Sequence, residues 1–214
     1  MVSELPSATD VFSYFKYWQK KVDPVIKKYL ESEEKLEYAN TAYGLEVFGE
    51  IKDLTLRGGK RQRVAFVAAT FGLLNGDFND QAIAAIADAA ASVELLQTQL
   101  LIHHDVIHQA PSRRSGQPFH SKFKEESLNK KYVFDSQRYG DSVGLLAGDL
   151  TAYFACYPVL SSDHIPLDKR IKILDVLLRS GIDTFYGQLL DLLRDARGTT
   201  SEEEILNLAF VKAG

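Results

Sequence analysis

The 214-residue sequence predicts an all-α fold in which helices pack as a bundle. Apolar residues recur at the helical period of 3.6 along almost the whole chain. Alternation of Val, Ile and Tyr with polar residues, which is typical of strands, is missing at any useful length. In addition, the segment from Asp80 to Ala110 contains neither glycine nor proline, the two residues that most often interrupt helices.

The helical period is found in segments that together cover most of the chain: residues 10–30, 43–56, 61–74, 80–110, 140–160, 166–194 and 201–211. Within the first segment, the Asp23–Pro24 step predicts a kink or a fresh helix start. The third segment ends at Asn75–Gly76, which is a stop signal for helices. The fourth follows Asn79–Asp80, a suitable N-cap, and its Ala- and Leu-rich composition suits a helix in the middle of a bundle.

The helical pattern lapses over residues 111–138, which predicts a long loop inside a single domain spanning residues 1–214. Seven Lys and Arg residues against three Asp and Glu residues give this loop a local excess of four positive charges. Such a loop can close over an anionic ligand, or it can be a mobile solvated connection.

Composition excludes some classes of partner and compartment. The net charge of −4, with acidic and basic residues interspersed, gives no reason to expect nucleic acid or an anionic membrane as a partner. Cys156 is the only cysteine, so no intrachain disulfide forms, and a buried thiol in a reducing compartment is expected. With neither a signal segment nor a transmembrane run of apolar residues, we expect a soluble, cytoplasmic protein.

The fourth predicted helix carries a polar stripe on an otherwise apolar surface. At about 100° per residue, His104, Asp105 and His108 fall within little more than one quadrant, and Gln97 joins them. Two imidazoles at i and i+4 with a carboxylate between them form a workable divalent metal site. The alternative is a set of core histidines that are satisfied by internal hydrogen bonds.

The segment RGGKRQRV, residues 57–64, places two glycines before a predicted helix with Lys60, Arg61 and Arg63 in its first turn. Cations at a helix N-terminus oppose the macrodipole, so they cost stability unless an anion binds there. Glycine allows close approach of the backbone, whose free amides then point at the anion. The segment therefore predicts an anion site, or else a glycine-lined loop leading into a solvated helix.

Together these segments resemble the motifs of the trans-isoprenyl diphosphate synthases, the polyprenyl synthetase family. GGKRQRV is similar to the family's GGKRxRP, with Val64 in place of proline. ELLQTQLLIHHDVIH, residues 94–108, is similar to ELLHxxxLIHDDxxD, and RRSGQP, residues 113–118, to RRGxP with Ser115 as an extra residue. LAGDL, YGQLLDL and VKAG follow in the family's order, so the resemblance spans residues 58–214.

The resemblance implies an isoprenoid-synthase-type helical bundle in which an allylic diphosphate ionises and isopentenyl diphosphate attacks the resulting cation. It implies that isopentenyl diphosphate is held by Lys60, Arg63, Gln97 and Arg114. The allylic diphosphate, and with it catalysis, is assigned to Arg113 and Lys212. A divalent metal ion, Mg²⁺ in the family, is assigned to His104, Asp105 and His108. The wall that sets product length is assigned to Leu96, Gln99 and Leu100.

The sequence departs from the family pattern in two places. At DDxxD, His104 and His108 replace carboxylates, and because Mg²⁺ prefers oxygen ligands these imidazoles would instead favour Zn²⁺, Co²⁺, Ni²⁺ or Mn²⁺. The family's second aspartate-rich motif is also missing after Lys212, so we expect a bundle that is incomplete at its C-terminus. The motif would then come from a missing C-terminal part or from a synthase chain in a homo- or hetero-oligomer.

Two other interpretations remain open at this point. The chain can be a non-catalytic or regulatory subunit of a heteromeric synthase, or a degenerate remnant, as the altered metal cluster suggests. It can also be a phosphohydrolase of the HD type built on His104 and Asp105. That site needs a further histidine well upstream, whereas His103 is the first histidine of the chain.

Overall fold

The computed structural model describes residues 10–33, 35, 41–75, 78–199 and 201–213, with side chains up to residue 210. In these ranges the chain forms helices and no strand, which confirms the all-α prediction. The helices are α1 (Val11–Glu33), α2 (Ala42–Leu56), α3 (Gln62–Asn75), α4 (Asp80–Ile107), α5 (Phe119–Lys130), α6 (Ser136–Leu160), α7 (Leu167–Arg197) and α8 (Glu202–Ala213).

The chain divides into two compact units. The sequence alone predicts a single domain. The first unit covers residues 1–166 and contains α1–α6, and the second covers residues 167–214 and contains α7 packed on α8. Helical periodicity shows which residues share a face of one helix, but it does not show which helices contact each other.

Helix α4 lies at the centre of the first unit, between α1 and α3 on one side and α6 on the other. Helix α1 contributes a completely buried stripe of every fourth residue: Trp18, Val22, Ile26 and Leu30. These side chains pack on small and branched residues of α4, including Ala87, Ala90 and Leu95. The stripe continues on both sides of Pro24, and the helix runs through this residue, so the fresh helix start is not observed.

Helices α4 and α6 are long and apolar enough to span a membrane by length and composition alone. Each of these helices contains an apolar stretch of 18 residues, of which 61% is buried inside the protein in α4 and 50% in α6. The two helices also pack more extensively on each other than any other pair. Core helices of a bundle show this kind of burial. Packing inside the protein therefore accounts for the apolar composition of α4 and α6.

Helix α5 lies in the segment predicted to be a long basic loop, so the prediction for residues 111–138 is wrong over residues 119–130. Its buried residues are Phe119, His120, Phe123 and Ser127. Only two of them are apolar, so they form a stripe too narrow to stand out among the polar residues. The basic side chains here are partly neutralised, since Lys122 pairs with Glu50 and Lys130 with Glu126.

Candidate anion-binding site

A pocket of about 220 Å³ lies in the first unit, where three polar segments meet. The glycine-rich loop and the start of α3 form one side, α4 forms the floor, and the turn after α4 forms the other side. Its lining residues are Gly59, Lys60, Arg61, Gln62, Arg63, Glu94, Gln97, Leu101, Arg113 and Arg114. The structure thus brings together the two sequence segments predicted to bind anions.

Arg61 fixes the glycine-rich loop to the rest of the unit. Its side chain is completely buried, and it donates to Asp23 at 2.8 Å, to Glu94 at 2.7 Å and to the Thr55 carbonyl at 2.8 Å. Arg61 has a left-handed backbone with φ of 49°, and α3 begins one residue later. The side chain therefore turns into the protein. This differs from the sequence-based prediction, in which Arg61 lies on the first helical turn beside an anion.

The turn after α4 forms the opposite side of the pocket. Arg113 and Gly116 exchange backbone hydrogen bonds of 2.8 and 2.9 Å, and both residues between them, Arg114 and Ser115, have positive φ. Positive φ at both central positions is the pattern of a type I′ turn, which non-glycine residues adopt at a cost. The turn directs Arg114 toward α2, where its Nη1 donates to the carbonyls of Leu54 and Thr55.

Glycines let this turn and the glycine-rich loop come close together. A Cβ at Gly116 would collide with the Arg57 guanidinium, so glycine is needed there, whereas one at Gly59 would lie in ordinary contact with the Arg114 guanidinium at 3.4 Å. Arg57 also donates to the Gln117 carbonyl at 3.3 Å. Each segment therefore holds an arginine of the other, which fixes the width of the pocket.

Five cationic side chains surround the pocket, and three of them have no neutralising carboxylate among the residues that the structure describes. Arg61 pairs with Asp23 and Glu94, and Arg113 pairs with Asp105. Within the described residues no ion pair involves the remaining three, which are Lys60, Arg63 and Arg114. Uncompensated like charges around one pocket repel each other, so a bound anion would stabilise them.

Two further observations fit an anion in this pocket. Burial, followed by the nearby positive charge of Arg61, lowers the pKa of Arg114, so its cationic form lacks stabilisation there. The amide oxygen of Gln97 is buried and has no hydrogen-bond partner within the described part of the chain. Rotation of that amide would present a donor to the pocket instead.

Asp105 does not join the histidines with which the sequence analysis groups it. It is completely buried, and both its carboxylate oxygens accept hydrogen bonds from Arg113 Nε, at 2.9 and 3.1 Å. This contact with Arg113 holds the Asp105 side chain inside the protein, whereas His108 is exposed. Arg113, predicted to hold the allylic diphosphate, is thus engaged by Asp105, although it still lines the pocket.

His104 and His108 do lie together at the C-terminal end of α4. Their ring centroids are 4.3 Å apart, with an angle of 41° between the ring planes. His108 is the C-cap residue and is exposed, whereas His104 is half-buried. No cluster of three or more His, Cys, Asp or Glu side chains suited to a metal ion occurs among the described residues.

The residues predicted to form the product-length wall do not line the pocket. Leu96 packs against the core shared by α1 and α4. Gln99 is completely buried, and its amide nitrogen lies 3.0 Å from Nδ1 of His103. Leu100 is half-buried on the same helix. Lys212 belongs to α8 in the second unit, and its side chain lies outside the described residues.

Sequence reasoning missed the residues that hold the pocket together. Asp23, Thr55 and Glu94 contact Arg61 from three different helices, and none of them carries a motif that indicates this role. One signal was available, because Glu94 is a charged residue in the Ala- and Leu-rich part of α4. A buried charge requires a partner, and Arg61 provides it.

Comparison with known proteins identifies relatives with a common activity. The short chain isoprenyl diphosphate synthase of Methanocaldococcus jannaschii is 27% identical over 184 residues, covering 86% of this chain and 46% of that protein. The farnesyl pyrophosphate synthase of Candida albicans is 30% identical over 155 residues, covering 71% of this chain and 38% of that one. The chain thus spans about half or less of the length of these relatives.

Solved structures show the same fold. The geranylgeranyl pyrophosphate synthase of Corynebacterium glutamicum, complexed with isoprenyl diphosphate and magnesium, superposes with a TM-score of 0.81 at 23% identity. The superposition covers 95% of this chain and 56% of that one. The sequence model described as polyprenyl synthetase matches residues 46–214, which is most of the chain and includes every pocket segment. The chain therefore belongs to the polyprenyl synthetase family.

Proposed function

We propose that this chain is a prenyltransferase of isoprenoid biosynthesis that binds isopentenyl diphosphate in the pocket and joins it to an allylic diphosphate. The observation that carries the proposal is the set of three cationic side chains without carboxylate partners among the described residues: Lys60, Arg63 and Arg114. A diphosphate supplies the missing negative charge and several acceptor oxygens, which match Lys and Arg donors.

The residues around the pocket would divide the work. Lys60 and Arg63 are exposed at its rim and would hold the outer oxygens. Gln97 would contact the diphosphate from the floor, and Arg114 from the turn after α4. Arg113 would offer its remaining donors to the allylic diphosphate. The family resemblance implies that Lys212 also holds the allylic diphosphate. It further implies that the wall that sets product length is formed by Leu96, Gln99 and Leu100, and we propose these roles here.

The metal part of this proposal departs from the family. The family resemblance implies a divalent ion, and the solved structure from Corynebacterium glutamicum is complexed with magnesium. The donors at the end of α4 do not fit Mg²⁺, because two are imidazoles and the carboxylate of Asp105 is engaged by Arg113. Zn²⁺, Co²⁺, Ni²⁺ or Mn²⁺ would fit the imidazoles better, and no catalytic step is assigned to Mg²⁺ at this position.

Condensation would also require the part of the synthase fold that the relatives have and this chain does not span. We propose that the second aspartate-rich motif comes from a partner synthase chain, in a homo- or hetero-oligomer, or from further residues of the same protein. Within this proposal the enzyme is soluble and cytoplasmic, and its α4 and α6 are core helices.

Binding of isopentenyl diphosphate, measured by calorimetry on the full chain at fixed ionic strength, tests the pocket. Lys60→Gln and Arg63→Gln should each weaken binding about tenfold, because each removes one charge-assisted hydrogen bond. Lys172→Gln, an exposed residue of α7, serves as the control and should leave the affinity unchanged. Unchanged affinity in both pocket variants would refute the proposal.

Turnover is tested separately by co-expression with a synthase chain that carries the second aspartate-rich motif. The complex should condense isopentenyl diphosphate with an allylic diphosphate when a suitable divalent ion is supplied. Failure with every divalent ion tried would exclude the catalytic part of the proposal.

The alternative is a non-catalytic subunit that binds diphosphates and adjusts an active synthase, and the two imidazoles at the end of α4 favour it. His104→Asp combined with His108→Asp distinguishes the two functions. If the complex with the unaltered chain condenses prenyl substrates as fast as the complex with the double variant, the imidazoles are compatible with catalysis. If only the complex with the double variant condenses prenyl substrates, the result supports a non-catalytic role for the unaltered chain.

A further inference from the structure

We infer that His104 and His108 form a two-imidazole site for a borderline transition-metal ion such as Ni²⁺ or Zn²⁺, and that this site does not take Mg²⁺. The inference concerns the same end of α4 as the proposed function. It holds whether or not the chain turns over prenyl substrates, because it rests on these side chains alone.

The helix brings the two imidazoles to one place. Residues at i and i+4 are neighbours on a helix surface, and the ring centroids of this pair are 4.3 Å apart. The helical geometry continues to His108, whose N–H donates to the His104 carbonyl at 3.0 Å. At metal–nitrogen bond lengths of about 2.0–2.1 Å, one nitrogen from each ring can therefore reach a common ion after small side-chain rotations.

Asp105 is not available as a third ligand. Its carboxylate is completely buried, and Arg113 donates to both of its oxygens. Turning this side chain toward the histidines would leave the Arg113 guanidinium without its partner and would break the three hydrogen bonds between the two side chains. The protein therefore offers two nitrogen donors at this place, and the family's three carboxylates are not reproduced.

This donor set selects the class of metal ion. Mg²⁺ binds almost only oxygen ligands and gives up water reluctantly, so two neutral imidazoles hold it poorly. Imidazole suits Zn²⁺, Ni²⁺ and Cu²⁺, and affinity at nitrogen sites rises from Mn²⁺ to Cu²⁺ along the first row.

The surroundings favour a cation with open coordination positions. The site is at the C-terminal end of α4, where the carbonyl groups carry partial negative charge. Because His108 is exposed, water or an oxygen of an anionic ligand can complete the coordination shell. Such a partly open site resembles catalytic metal sites more than closed structural ones.

Titration of the full chain with Ni²⁺, Zn²⁺, Co²⁺ or Mg²⁺ alone, without diphosphate, tests the inference by calorimetry. Absorption of bound Co²⁺ gives a second readout that reports nitrogen ligands directly. We expect one ion per chain for the transition metals and no measurable binding of Mg²⁺ at the same concentrations. Mg²⁺ binding as tight as that of Ni²⁺ would overturn the inference.

Variants locate the site. His104→Ala and His108→Ala should each weaken Ni²⁺ binding by at least about tenfold, since even changes outside the ligand shell cost that much at metal sites. His164→Ala, which alters a half-exposed imidazole beside Asp88, is the matched control and should bind Ni²⁺ like the unaltered chain. Unchanged Ni²⁺ binding in both α4 variants would place the ion elsewhere and overturn the inference.

The double variant His104→Asp with His108→Asp provides an independent test that does not depend on loss of binding. It restores oxygen donors on the same helix face, so the preference should reverse toward Mg²⁺. Circular dichroism and urea unfolding confirm that this variant is folded. A folded double variant that keeps the original preference for Ni²⁺ would show that the imidazoles do not set it.

Discussion

Asp105 and Arg113 form an ion pair that closes the turn after helix α4, and its two ends are buried to different degrees. The Asp105 side chain is completely buried, whereas 24% of the Arg113 side chain is exposed. Arg113 Nε donates to both carboxylate oxygens, and Nη2 donates to Oδ1. Loss of the arginine strands a carboxylate in the interior, whereas loss of the carboxylate leaves a cation that still reaches water.

This asymmetry predicts unequal effects of two substitutions on the free energy of unfolding. Arg113→Met should lower it by about 3 kcal/mol, because an unpaired buried charge remains. Asp105→Asn should cost less, since the amide oxygen still accepts from Arg113. Urea unfolding at pH 7 measures both, with exposed Asp149→Asn as a control expected to stay within about 0.5 kcal/mol. A larger loss for Asp105→Asn would contradict the prediction.

Arg61 and Arg63 are two residues apart but have separable roles. Arg61 is buried among Asp23, Glu94 and the Thr55 carbonyl, whereas Arg63 is exposed at the pocket rim. Arg61→Met should lower the free energy of unfolding by about 3 kcal/mol, because it leaves two carboxylates without their partner. Arg63→Gln should change it by less than about 0.5 kcal/mol, since it is a surface substitution.

The same pair of variants separates stability from binding of inorganic pyrophosphate. Arg63→Gln should weaken binding about tenfold while the unfolding curve stays in place. Calorimetry on folded protein at 10 °C measures the affinity. If Arg63→Gln unfolds at lower urea concentration than Arg61→Met, the assignment of a structural role to Arg61 is incorrect.

The sequence predicts the helices well and their contacts poorly, and α5 illustrates why. Long helices such as α4 bury a broad apolar face, so their periodicity is visible in the sequence. Helix α5 buries only a narrow stripe around Phe119 and Phe123, and between charged residues this stripe resembles a loop. Propensity and pattern describe one segment at a time, whereas α5 is stabilised by its contacts with α6.

For the site, the sequence predicts which residues take part but not how they are divided. The segments around Lys60 and Arg114 do meet at one pocket. Spacing alone groups Asp105 with the histidines, because a helical wheel contains no information about contacts with residues outside the helix, such as Arg113. Arg113 decides where Asp105 points, and that contact depends on the left-handed turn at Arg114 and Ser115, which no local rule for arginine indicates.

The two glycines before α3 should respond differently to alanine. Both have positive φ, 67° at Gly58 and 98° at Gly59, so each substitution strains the backbone by about 1 kcal/mol. A Cβ at Gly58 meets open space, but one at Gly59 lies 3.4 Å from Arg114. Gly59 and Arg114 both line the pocket, so Gly59→Ala should place a methyl group against the Arg114 guanidinium inside the pocket and weaken pyrophosphate binding. Gly58→Ala should lower only the free energy of unfolding. Equal affinities in the two variants would argue against contact between the loop and Arg114.

His120 should make the protein less stable in mild acid. Burial lowers the pKa of its imidazole below the ordinary value of 6.5, and Lys124 acts in the same direction, whereas Asp141 and Asp105 oppose them. As the pH falls through 6.5, the unfolded chain takes up a proton that folded His120 does not, so protonation favours unfolding. His120→Gln should therefore flatten the loss of unfolding free energy between pH 8 and pH 5.5. At pH 8, where His120 is neutral in both states, the variant reports the packing cost alone, and an unaltered slope below pH 6.5 would exclude His120 as the cause.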